Sequence, residues 1–133
     1  MSTLTPALLR SLTSLFRQRE HWRVQLSPAE TVEYLTATRP YGSAAISLVG
    51  RVNEKLGPEA YRPAFAGNTY HTFEVGREYS PVLYFRVVQA YLPDDYDYAA
   101  LAAQLEQWGK DANADECGVA EDRASFVYRW WWD

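Results

Sequence analysis

A single cysteine, Cys117, leaves the 133-residue chain without a partner for an internal disulfide and without a multi-cysteine zinc site. Such a chain suits a reducing compartment, and a cytoplasmic location is the expectation. No apolar run approaches the roughly 20 residues that span a bilayer; the longest are a handful of residues, "VLYF" among them. A membrane is therefore not expected among the partners, and the domain is expected to be soluble. The glycines are scattered, with neither GxGxxG nor a Walker-type loop, so no nucleotide site can be read. Only two histidines are present, His21 and His71, and neither stands in a metal-ligand spacing such as HExxH. No cofactor is indicated. No internal repeat, low-complexity segment or composition break divides residues 1–133, which predicts one compact domain. A domain of that size buries roughly two-thirds of its unfolded surface without metals or disulfides.

What is abundant is aromatic: ten tyrosines, five tryptophans and five phenylalanines, with three tryptophans consecutive at Trp130, Trp131 and Trp132. Charge is uneven rather than large. Residues 1–23 carry four arginines against one glutamate, residues 24–92 balance, and residues 93–122 hold nine acids against Lys110 alone. An acidic segment of this kind repels nucleic acid and attracts a basic partner.

The N-terminal stretch "MSTLTPALLRSLTSLFRQRE" has Ser, Thr and Arg and no acid before Glu20, features shared with organellar transit peptides. Arg10 interrupts its apolar run and no small-residue cleavage site follows, which argues against a secretory signal. Leu8, Leu9, Leu12, Leu15 and Phe16 at helical spacing, after a Thr5-Pro6 start, predict an ordinary first helix to about Glu20. Residues 22–26 read as a short strand or an extended linker. Ser27-Pro28-Ala29-Glu30 is a capping box that opens a second helix to about Thr36. A third runs from Ser43 to a stop at Gly57, with Ile46, Val49, Val52 and Leu56 as its stripe. Residues 58–68 read as a crossing loop, followed by strands over "TYHTFEVG" and "PVLYFRVVQAYL" joined by "GREYS". A last helix over about Asp97 to Trp108 and a final strand "RASFVYRWWW" complete the order. The fold class predicted is α+β: about three N-terminal helices, then a small, mostly antiparallel sheet with one further helix before the C-terminal strand.

The strands are too apolar for open water. Val82, Tyr84, Arg86 and Val88 share one face of their strand, and Leu83, Phe85 and Val87 the other, so both faces should be covered. In the last strand Phe126, Tyr128, Trp130 and Trp132 fall on one face and predict a core. Trp131, with Arg129 two positions back, is left on the other face, under a helix or stacked with the arginine at an exposed site.

Chemistry-bearing patterns are few. Asp111, Asn113, Asp115 and Asp122 have part of a calcium-loop spacing, but Glu116 stands where the loop needs glycine and a strand follows instead of a helix. A solvated acidic connection is the better reading. Asp94, Asp95 and Asp97 precede a helix, where its dipole and capping account for acids. Cys117, among acids, lacks the positive surroundings that activate a thiol. Helices two and three followed by a hairpin permit a winged-helix DNA reading. Its reading helix offers only Arg51, Asn53 and Lys55, which points away from nucleic acid.

With no catalytic constellation, the expectation is a small protein-interaction domain of inhibitor, immunity or accessory type. It would bind another protein, a basic one, or a second copy of itself. Tyr84, Tyr91, Arg129 and Trp131 are the candidate contacts, because Tyr, Trp and Arg are common interface anchors, and Asp94, Asp95 and Asp97 supply charge. The alternative is a small-molecule-binding or enzymatic cone with an aromatic pocket, whose polar groups would be His71, Glu74, Tyr84 and Tyr128.

Overall fold

The computed structural model describes residues 5–8, 10, 23–38, 43–56, 71–78 and 80–132. Near the N-terminus, residues 6–8 and 10 are helical, and Thr5 Oγ1 accepts the Leu8 N–H at 3.1 Å as a helix cap does. The rest of the expected first helix, the Gly57 stop and the 58–68 loop lie outside the described residues.

Strand β1 (Arg23–Leu26) leads directly into α1 (Pro28–Thr38). The turn between them is closed by the capping box: Ser27 N–H donates to Glu30 Oε1 at 2.9 Å and Glu30 N–H to Ser27 Oγ at 3.2 Å. Thr31, Tyr34 and Leu35 form the buried side of α1, a spacing of three and four residues. Helix α2 (Ser43–Lys55) buries Ala45, Leu48, Val49 and Val52. Val49, Val52 and Leu56 of the expected stripe are fully buried, Ala45 and Leu48 widen it, and only Ile46 is half-buried.

Strands β2 (His71–Glu78) and β3 (Ser80–Val88) form an antiparallel hairpin whose ladder closes at Glu78 opposite Ser80. The "GREYS" segment expected as a loop is thus mostly strand, because pairing continues past Gly76 to the very end of the hairpin. At the other end β3 stops at Val88 and becomes a 3₁₀ turn over Gln89–Tyr91. Helix α3 (Tyr98–Asp111) follows, with Asp97 Oδ1 accepting the Ala100 N–H at 2.9 Å. It ends where Asn113 takes a left-handed φ of 61°, a conformation that asparagine tolerates better than most residues.

Strands β4 (Glu116–Asp122) and β5 (Ser125–Trp131) form the second hairpin. The sheet order is β1-β2-β3-β5-β4, with every pairing antiparallel. The α+β class is as the sequence predicts. β4 corrects the expectation of a solvated connection: the acidic stretch joins the sheet because β5 offers it a well-formed apolar neighbour.

One face of the sheet packs against the helices. Phe73, Phe85, Phe126, Tyr128, Trp130 and Trp132 lie on it with Leu83 and Val87, all buried. Each large aromatic there removes ~150–250 Å² from water, on the order of 4–6 kcal/mol before entropy. Two tryptophans also dock α3: Trp130 Nε1–H donates to Leu105 O and Trp132 Nε1–H to Ala112 O, each at 3.0 Å. Close approach requires Gly109, since a Cβ there would lie 2.6 Å from Trp130 Cδ1.

Candidate interaction surface

Alternation along paired strands assigns the opposite face. Direct partners share a side, so Gln25, Glu74, Tyr84, Arg129 and Gly118 make one row across it. Val82, Tyr84 and Val127 are buried at its centre, and Trp131 packs against them. Both faces of the central strands are therefore covered, as the apolar pattern of β3 requires. Around that small cluster runs a set of charges. Glu74, 7% exposed, accepts from Arg86 Nε at 2.6 Å and lies 3.5 Å from Arg23 Nε. Arg86 also reaches Glu121 of β4 at 3.7 Å. Arg23 sits 4.4 Å above the Tyr84 ring, and Arg129 sits 5.8 Å above the Trp131 ring. These distances are within cation–π range. The indole N–H of Trp131 is buried and has no hydrogen-bond acceptor among the described residues.

The β4 rim is the open end of this face. β4 pairs with β5 on one side and, among the described residues, with no strand on the other. Glu116, Val119, Ala120 and Asp122 are exposed, Val119 to 48%. The strand has three acids and no base. Glu121 is held by Arg86, and Asp122 Oδ1 accepts from Gln89 Nε2 at 2.6 Å. Glu116 makes no ion pair among the described residues. A shallow hollow of about 170 Å³ lies at Gly118, lined by Glu116, Cys117, Val119, Ala120 and Arg129. No protein family, curated protein or solved structure matches the chain. Its function has to be read from surfaces such as this one.

The residues expected at an interface are not all brought together. Arg129 and Trp131 share the second face with Tyr84, but Tyr84 is only 4% exposed and lies under Arg23. Tyr91, in the 3₁₀ turn, packs against the helix-side core instead. Asp94 and Asp95 are exposed in the turn before α3, while Asp97 is its N-cap.

The aromatic pocket does not assemble. His71 and Tyr128 lie on the helix side and Glu74 and Tyr84 on the other, because residues of opposite parity in a strand point oppositely. That signal was available in the sequence: His71 and Glu74 are three apart. His71, 1% exposed, packs between Phe73 and Phe85 with ring centroids 5.7 Å from each, and its Nε2 lies 2.6 Å from Asn53 Oδ1. Burial lowers its pKa to about 4, so the ring is neutral. Burial, then the adjacent Cys117, hold the Tyr128 hydroxyl well above the usual phenol range, so it stays protonated.

Among the described residues no group of three or more His, Cys, Asp or Glu could hold a metal, and no helix is long and apolar enough to cross a membrane. Asp111 of the calcium-like spacing instead binds Arg51 of α2 at 3.1 Å. That ion pair, with Trp108, lines a cleft of about 140 Å³ between α2 and α3. Of the polar residues a DNA-reading helix would use, Asn53 is bound to His71 and Arg51 to Asp111.

Proposed function

We propose that this chain is a protein-interaction domain, of inhibitor, immunity or accessory type, that binds a basic protein partner in the cytoplasm. The observation that carries this reading is the rim of β4, where Glu116, Glu121 and Asp122 lie along an exposed strand with no lysine or arginine of its own. Asp94 and Asp95, exposed before α3, add to the negative surface. Trp131 and Arg129, partly buried on the adjoining face, supply the residue types that anchor interfaces. Exposed acids steer a basic partner into contact and set the salt dependence of association more than its final strength.

The test is capture of partners from the native host by the immobilised wild-type chain and by a Glu116→Lys, Asp122→Lys variant, with identification by mass spectrometry. The expected result is a basic protein retained at low salt, released as salt screens the charges over ~8–10 Å, and lost from the variant. Retention of the same partners by the variant, or a purely acidic set of partners, would remove this reading.

A further inference from the structure

Resting on that reading, we infer that β4 is the docking edge itself, and that its occupant is a short extended segment of a basic protein that adds to the sheet as a sixth strand. A sheet edge presents alternate backbone N–H and C=O groups with no partner, and strand addition satisfies them. Here the edge is exposed, and beyond β5 no described strand covers it.

The side chains define what fits. Glu116, Gly118 and Glu121 share the second face with their partners Trp131, Arg129 and Val127, whereas Val119 pairs with Tyr128 and lies on the other. An incoming strand thus meets acid, hollow, acid on one side, and exposed valine followed by the exposed Asp122 on the other. A segment that alternates basic and apolar residues matches both sides, with a small residue over Gly118, where Arg129 would repel a second cation. The ladder shifts register between Val119 and Glu121, so the regular stretch is Glu116–Val119 and the occupant is short.

A second copy of the chain fits poorly. Each β4 carries three acids and no base, so pairing this edge with its own copy brings six acids together with no cation on either strand. Like charges crowded along a strand pair destabilise it. The acids that attract a basic strand are the same groups that keep copies of this edge apart.

The probe is the acetylated, amidated peptide Lys-Val-Thr-Val-Lys, which reads the same in both directions and so does not prejudge strand polarity. It is titrated into the full chain by NMR, beside two N-methylated forms, one modified at both valines and one at the lysines and threonine. Strand addition predicts that one methylation pattern weakens binding by about tenfold or more and the other far less, because only one set of N–H groups faces the edge. It also predicts slowed hydrogen exchange at alternate amides of Glu116–Asp122, and loss of both effects in the Glu116→Lys, Asp122→Lys variant. Equal affinity for both methylated forms, or no peptide binding, overturns strand addition while leaving the basic-partner reading to the capture experiment. A dimer by sedimentation with β4 amides already protected would make a second copy the occupant and likewise overturn it.

Discussion

Trp130 and Trp131 are chemically identical neighbours with opposite hydrogen-bonding fates. Trp130 is fully buried and its N–H is satisfied by Leu105 O; the Trp131 N–H is buried with no acceptor among the described residues. An unmade buried hydrogen bond costs roughly 1–3 kcal/mol, whereas a made one returns about 1. Trp130→Phe should therefore destabilise by ~2–4 kcal/mol, through a void and the loss of the hydrogen bond to Leu105 O. Trp131→Phe discards the unsatisfied donor while keeping a ring under Arg129, and should fall within about 1 kcal/mol of wild type, in either direction. Urea denaturation of both variants decides this, and equal losses would contradict the assignment. Strand alternation alone separates these two residues in the sequence. The missing acceptor depends on what surrounds the indole, which no periodicity encodes.

At the scale of the element, what could be read in advance follows how strongly each segment's local signal agrees with its packing. The start of α1 was legible because Ser27 and Glu30 satisfy each other's backbone donors without help from any distant residue. Ser27→Ala should cost ~0.5–2 kcal/mol, and Glu30→Ala should add little on top of it, since the two bonds act as a pair. Full additivity in thermal melts of the double variant would mean that the box is not cooperative. β4 was not legible for the converse reason. "ECGVAED" contains one β-branched residue and no aromatic, so its own propensity for a strand is low, and its half-exposed edge position gives no clean alternation. Pairing with β5 overrides both. The proposed docking edge was consequently visible in the sequence only as charge, and Trp131 and Arg129 drew attention to the adjoining face instead of the rim.

Across the whole molecule, the sheet is a partition between two environments, and His71 shows what the partition does to a titratable group. It lies at the first position of β2, sealed between the sheet and α2, where burial holds its pKa at about 4. An unfolded chain protonates the same ring near 6.5. Between those two values the unfolded state binds a proton that the native state refuses, so stability must rise with pH across the window. The contribution is fully present above pH ~6.5 and falls away as pH drops towards 4. At pH 5 the loss from this one group should be ~2 kcal/mol relative to pH 7. His71→Gln keeps an N–H for Asn53 Oδ1 but cannot titrate, so its stability should change less over the same interval. Urea unfolding of both proteins at pH 5, 6 and 7 measures the difference in slope. Parallel slopes would show that the imidazole can charge without opening the core, which would mean that water reaches the layer between α2 and the sheet.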